Sequence, residues 1–448
     1  MHRNSQVSWI MCFLAMSLLI VTPKPIYAAD GCAPGTRCLS VSNQGGVPVS
    51  DPGPFTAQCS GTFPDFLTAT TMLPAKGPWF KLSQAYPSTF PANDAPWLNI
   101  NFADGVNGAN NYLYALRDYA FEGMIDADFK PELNSIRPWF HMPLMNFGPH
   151  AREPLHGLTS ERQVTGPELG VKPNVTINNY AIGFYNAAGA VTIGQVWKTN
   201  SPDISKAQFA QGTMAFKILF SDAKASDFQG ADILRGAPQW TIATTTGRQN
   251  VRLMQMDVAA VDARSPTGWV FGTFAYDSHA PNTSSWHRLR PVGLSWGDDH
   301  GFTPADQLAG KRLTETIISN EAPAYAAAHL GWAGRANGPI DNPISGCMSC
   351  HSTAEDPTGP TTFTNACSTD TQKMFWFRDL RGNQAFGNVD DKCAPLNVTP
   401  APLDFSLQLS VSVQNVHQFK DVNPCAQPPS EPIATVQGEP GEHPRIAR

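Results

Sequence analysis

The stretch Val251-Arg252-Leu253-Met254-Gln255-Met256-Asp257-Val258-Ala259-Ala260-Val261 decides what kind of chain this is. Its apolar side chains alternate, first at Val251 and Leu253 and then at Met254, Met256 and Val258, which is the period of a strand. The phase moves by one residue at Leu253/Met254, and an extra residue bulged out of the strand accounts for the move. Met214–Phe220, Trp240–Thr246 and Trp269–Tyr276 have the same character, at spacings that suit a sandwich or barrel. Tyr180–Tyr185 and Val191–Trp197 flank Asn186-Ala187-Ala188-Gly189-Ala190 and read as a hairpin with a glycine-containing turn. Residues 95–300 are therefore expected to form a β-rich domain.

After 300 the period changes. Thr303, Pro304 and Asp306 resemble a helix N-cap, and Ala309, Leu313 and Ile317 then recur every four residues. A second short helix is expected over Ala322–Leu330. In Asp404–Phe419 the positions Leu407, Leu409, Val411 and Val413 alternate as in a strand, but Phe405, Leu409, Val413 and Val416 also follow helical spacing. Helix is the expectation there, so residues 301–425 read as a small, mainly helical domain. Residues 29–94 are rich in Gly, Pro, Ser and Thr and read as an irregular, cysteine-containing segment. The polar, Pro- and Glu-containing end, 426–448, reads as a disordered tail.

Arg3, the apolar run Trp9–Val21 and Tyr27-Ala28-Ala29 fit a cleaved secretory signal over residues 1–28, with a retained anchor as the alternative. No later segment is apolar enough to span a membrane. Export places the mature chain in an oxidising compartment, the periplasm or the exterior if the source is bacterial. Charged residues make up only 15% of the chain, and the 39 prolines exceed ordinary usage, so the composition is that of a loop-rich exported protein. The formal net charge is −6 and becomes more negative when Arg3 and Lys24 leave with the signal, which argues against nucleic acid and anionic membrane as partners.

The chemistry is concentrated in Cys347-Met348-Ser349-Cys350-His351. C-x-x-C-H attaches haem c: the two thiols add to the porphyrin vinyl groups, and the histidine becomes the proximal iron ligand. One such motif means one covalent haem per chain. A redox dithiol or half of a zinc site is the competing reading, but no second C-x-x-C or H-x-H accompanies it. Setting aside Cys12 in the leader and the two motif cysteines leaves Cys32, Cys38, Cys59, Cys367, Cys393 and Cys425, enough for three disulfides in fifteen possible pairings.

Candidates for the sixth iron position are Met374, in Lys373-Met374-Phe375-Trp376-Phe377, and alternatively His417, with His443 in the tail. A core methionine among aromatics is the plain alternative for Met374. Upstream, residues 137–156 carry His141, His150 and His156 with Met142 and Met145. Copper would choose such donors, but the spacing matches no metal motif, and histidines satisfying hydrogen bonds in a proline-bent loop is the plainer reading. One of them facing the haem across a domain interface would make the β-rich domain part of a catalytic pocket. The Asn-x-Thr/Ser triplets at Asn174, Asn282 and Asn397 carry little weight, and no phosphate loop or nucleophile elbow occurs.

Cys347–His351 resembles the haem-binding motif of the c-type cytochromes, whose domains are small helical bundles. Thr267–Phe274, Pro291–Gly297 and Gly331–Pro343 are similar to segments of large, uncharacterised bacterial cytochrome c-like proteins with a β-rich front half. The resemblance implies an α+β multidomain chain: a large β-rich domain, sandwich or barrel-like, followed by a small helical cytochrome c-like domain. It implies electron transfer with a redox partner protein or a small-molecule donor or acceptor. The alternative is a haem-dependent oxidase or peroxidase, its open iron facing the β-rich domain with His141, His150 or His156 as acid or base. A sensory module with a structural haem is the third class.

Overall fold

The computed structural model describes residues 80–92, 94–145, 152–198, 201–281, 284–390 and 392–421, and gives backbone alone for Ser40–Ser42, Val49–Asp51 and 418–421. The expected leader and tail, Cys32, Cys38, Cys59, Cys425, His150 and His443 lie outside the described residues. Strands β1 (Ser40–Ser42) and β2 (Val49–Asp51) pair with each other. β3 (Trp139–Phe140) and β4 (Thr159–Ser160) belong to the main sheet, whereas β5 (Val164–Thr165) and β6 (Thr176–Ile177) form a separate pair. The main sheet continues with β7 (Asn179–Asn186), β8 (Met214–Ser221), β9 (Gln239–Thr244), β10 (Gly247–Val261), β11 (Trp269–Tyr276), β12 (Leu289–Ser295) and β13 (Thr316–Ile318). The last pair is β14 (Glu355–Asp356) with β15 (Ala401–Pro402).

The main sheet has nine strands in the order β13-β12-β11-β10-β8-β7-β3, with β4 on β7 and β9 on β10. It is antiparallel and open, because its end strands β13 and β3 do not pair; the expected sandwich or barrel is thus one uncurled sheet. β10 serves three partners: residues 247–252 pair with β9, residues 252–260 with β8 and residues 255–261 with β11. The register against β8 shifts between Leu253 and Gln255, where β9 has ended and β11 begins and where the alternation of apolar residues changes phase in the sequence.

Helix α1 (Gly105–Phe121) covers one face of the sheet, packing against β10, β12 and β13. The expectation of mainly strands between 95 and 300 named no helix here, although Ala109, Tyr112, Leu113, Leu116 and Ala120 recur at helical spacing and are all buried. It begins at Asp104 without a side-chain cap, so the usual start signal is absent. Gly272 lets the helix approach: a Cβ there would stand 2.1 Å from Leu113 Cδ2.

A second correction concerns the hairpin expected around Asn186–Ala190. Asn186 instead caps helix α2 (Ala187–Val196), its Oδ1 accepting from Gly189 N at 3.1 Å and from Met214 N at 3.0 Å. Val191, Ile193 and Val196 face a core on both sides of the helix, so the β-branched run reads like a strand.

Residues 301–421 do not form a helical bundle. Thr303 and Asp306 form the expected capping box of α3 (Pro304–Leu308), but the helix stops there, Gly310 turns with φ 76°, and Ile317 enters β13 opposite Leu294. α4 (Ala324–Ala327), α5 (Cys347–His351) and α6 (Asp370–Lys373) are about one turn each. α7 (Leu407–Asp421) is helical as its spacing predicts, with Leu409, Val413 and Val416 buried. The sheet crosses the boundary expected at 300, and Met348, Leu403, Phe405 and Leu409 share one apolar cluster with Tyr185, Phe209 and Trp269. Among the described residues one disulfide is present, Cys367–Cys393, and no helix is long and apolar enough to cross a membrane.

Gly272→Ala is expected to cost about 1–3 kcal/mol by overpacking and Leu113→Ala about 2–5 kcal/mol by cavity formation. Because the two atoms compete for one space, the double variant should cost less than the two together, by at least about 0.5 kcal/mol in urea unfolding. Additive costs would mean that α1 does not rest on Gly272.

Candidate functional site

α5 holds the two cysteines one turn apart and so on one side of the helix, while Met348 and Ser349 between them are buried. Gly346 N donates to Ser349 Oγ at 2.8 Å and Cys347 N to Ala336 O at 2.9 Å, which ties the short helix to its surroundings. Both thiols are unpaired. Burial, reinforced by neighbouring carboxylates, pushes Cys350 up to about 12 and Cys347 upward as well. A redox dithiol needs an easily formed thiolate, so this setting speaks against that reading.

His351 is positioned by two contacts. Its Nδ1 lies 2.9 Å from Phe405 O, and its ring centroid is 4.5 Å from that of Phe271 on β11. Burial holds its pKa down at about 4, so the neutral ring donates Nδ1–H to the carbonyl and keeps the Nε2 lone pair for another partner. The carbonyl is itself fixed by the chain around it. Asp404 and Phe405 both have left-handed backbones (φ 47° and 60°), and Asp404 accepts from Phe209 N at 2.6 Å and from Trp269 Nε1 at 2.8 Å. Tyr185 and Ser406 hydroxyls meet at 2.8 Å beside it.

The sheet supplies a floor. Lys217 pairs across strands with Asp257, and Ala215 with Ala259, which places these four side chains together on the face away from α1. Both strands are central, yet all four residues keep accessible surface, as do Cys347, Cys350 and His351. Gly183, next in the Lys217 row, lies under Gln408 of α7, where a Cβ would stand 1.8 Å from Gln408 Nε2.

The floor is charged. Lys217 Nζ lies 3.7 Å from Glu161 Oε2 and 3.7 Å from Asp257 Oδ2. Asp257 accepts from Thr273 Oγ1 and Gln255 Nε2, both at 2.8 Å, and Gln255 also reaches Asp341 Oδ2 at 2.9 Å. Burial, then the Asp341 charge, raises Asp257 to about 7. Sequence reasoning passed over Glu161, Lys217, Asp257 and Asp341. The available signal was Lys217 and Asp257 at alternating positions within otherwise apolar strands.

Met374 and His417 are not gathered around His351. Met374 is buried in a separate cluster with Trp332, Phe363, Trp376 and Phe377, and its Sδ accepts from Gly301 N at 3.2 Å. His417 is half exposed on α7 beside Asp356, Nδ1 to Oδ1 3.7 Å. The described upstream histidines lie across the sheet, which corrects the idea that either faces the motif. His141 packs against Phe80 and Phe184, and His156 stacks on Trp240, in the cluster on the α1 side. Strand pleating decides this, since Phe184 and Phe216 alternate with Gly183 and Lys217. Burial keeps both histidines from protonating, His156 at about 4.

Among the described residues no group of three or more His, Cys, Asp or Glu is placed to hold a metal ion on its own. An open cleft of about 770 Å³ lies on the α1 side, but its Arg137 is already paired with Asp94 and Glu122. Comparison with protein-family models, curated proteins and solved structures gave no match.

Glu153, beside His156, is pushed up to about 7 by burial even though backbone N–H groups of Leu155, His156, Leu158 and Ala243 donate to it. A raised folded pKa stabilises fully below about 4.5 and is lost as pH rises through about 7. His156, lowered from 6.5 to about 4, has the opposite slope: its contribution is present above 6.5 and lost as pH falls through 4. Glu153→Gln removes the first slope, so stability of the variant relative to wild type should rise by roughly 3 kcal/mol between pH 4.5 and 8 in urea titrations. A difference that stays flat over that range would show that Glu153 is ionised throughout.

Proposed function

We propose that this chain is an exported monohaem c-type haem protein, with one haem c bound covalently through Cys347 and Cys350 and His351 as the proximal iron ligand, and that it transfers electrons to a redox partner. The observation that carries the reading is the pose of His351: Nδ1 is committed to Phe405 O, Nε2 has no hydrogen-bond partner among the described residues, and the ring sits on the same short helix as both free thiols. A histidine that donates its second N–H to a backbone carbonyl is oriented and made more basic for a metal. Attachment consumes two reduced thiols, the S and H of each adding across one vinyl group, and both cysteines stand outside any disulfide. Haem supplies one-electron chemistry at its iron when bound.

The protein's share of that chemistry is positional. Phe405 and Phe271 hold the imidazole, and small Ala215 and Ala259 leave a flat apolar area on the sheet beside it. Asp257, Asp341 and Glu161 lie within electrostatic reach of the thiols, and Lys217 between Glu161 and Asp257 offsets part of their charge.

A second reading, a haem oxidoreductase with an open iron site, is favoured by one specific observation. Met374 already accepts a hydrogen bond in another cluster and His417 lies half exposed at the surface, whereas ionisable groups of the sheet face the motif.

The test is the visible spectrum of the purified protein, made in a host that matures c-type cytochromes, when oxidised, reduced, and reduced under carbon monoxide. A haem that survives denaturation as a pyridine haemochrome, and is lost from a Cys347→Ala/Cys350→Ala variant, is expected. Protein that matures without covalent haem would overturn the proposal. A reduced spectrum unmoved by carbon monoxide supports the closed electron carrier, and a prompt shift supports the open site.

A further inference from the structure

We propose that Lys217 is a ligand-positioning residue of the haem site, presenting its ammonium to a small hydrogen-bond acceptor bound at the iron on the side away from His351. The inference rests on the open-iron reading given above, and it assigns the charged floor a task.

The placement comes from the sheet register. Phe271, which touches His351, belongs to the row Phe271, Ala259, Ala215, Tyr185; Lys217 belongs to the adjoining row Thr273, Asp257, Lys217, Gly183. Lys217 is therefore two strands from Phe271 and one row along, roughly 10 Å by roughly 7 Å. The intervening side chains are two alanines and an aspartate, so no bulky side chain stands on the sheet between Phe271 and Lys217. Charge interactions of Lys217 with both His351 and Cys350 confirm that the floor lies within electrostatic reach of the motif.

The chemistry of the amine narrows its role. Glu161 and Asp257 flank it and keep it protonated against the effect of burial. An ammonium has no lone pair and cannot ligate iron, but it has three donors. Both flanking oxygens are 3.7 Å away, beyond ordinary hydrogen-bond length, so donors remain for a third partner. The side chain keeps 28% of its surface accessible.

Carbon monoxide on the reduced haem is the probe, and its infrared stretch is the readout, because a nearby positive charge strengthens back-donation from iron and lowers the frequency. Lys217→Gln is expected to move the stretch to higher frequency. Glu161→Gln keeps the lysine and removes one counter-ion, and should move it lower. Opposite shifts support the assignment; if Lys217→Gln fails to mature, the downward shift in Glu161→Gln decides alone. An unchanged stretch with haem and carbon monoxide bound overturns the role of Lys217 and leaves the haem reading standing. Wild-type haem that ignores carbon monoxide overturns the open site and this inference with it, and a missing haemochrome overturns the proposed function itself.

Discussion

The cross-strand register of β8, β10 and β11 is the constraint on which everything else depends. It sets Phe216 and Val258 against the core beneath α1, and Lys217 and Asp257 against the motif segment on the other side. Because side chains alternate, a slip of one residue would bury the charged pair under α1 and turn phenylalanine toward the cysteines. Covering both faces of an antiparallel sheet is what makes such a slip costly. The bulge near Met254 is how one long strand keeps that register while also pairing with β9.

On that frame the motif segment is held by a chain of backbone-directed contacts. Arg335 is buried, with Nε on Asp298 O at 2.8 Å and its two terminal nitrogens on Asp299 O, Phe302 O and Trp332 O at 2.8–3.0 Å. Its guanidinium sits 4.4 Å from the Phe377 ring centroid. Burial lowers its pKa to about 10, so it stays charged at neutral pH, and four carbonyls with nearby Asp298 and Asp299 compensate it. The next residue, Ala336, accepts from Cys347 N. A single guanidinium thereby joins the turn after β12 to the start of α5, and Cys367–Cys393 closes the same apolar cluster from its far side.

Strand identity was legible where the alternation was long and clean: Trp269–Tyr276 and the bulged Val251–Val261 stand where their patterns put them. The misses have physical causes. In α2 the side chain of Asn186 completes a helix cap, a use that the same residue in a turn does not advertise. The four-residue recurrence of Ala309, Leu313 and Ile317 was coincidental, since Gly310 ends the helix and Ile317 finds a strand partner in Leu294. Cys347, Cys350 and His351 were legible because five adjacent residues carry the pattern. Glu161, Lys217, Asp257 and Asp341 are scattered over 180 residues; the sheet register joins Lys217 to Asp257, and tertiary contacts bring Glu161 to Lys217 and Asp341 to Gln255.

The relation between the short motif segment and its large β-rich companion then changes character. A helical bundle that wrapped its own cofactor would have no need of a sheet, but α5 is one turn long and its neighbours α4 and α6 are no longer. A single turn forms only when packing holds it, because nucleating a helix costs more than one turn of hydrogen bonds returns. Here that packing comes from Met348 and Leu403 in a cluster with Tyr185, Phe209 and Trp269, and from Phe405, whose backbone orients His351 while Asp404 beside it is bound to Trp269. The sheet is thus one wall of the surroundings of the motif, and its polar residues Lys217 and Asp257, not a second helix, stand on that side.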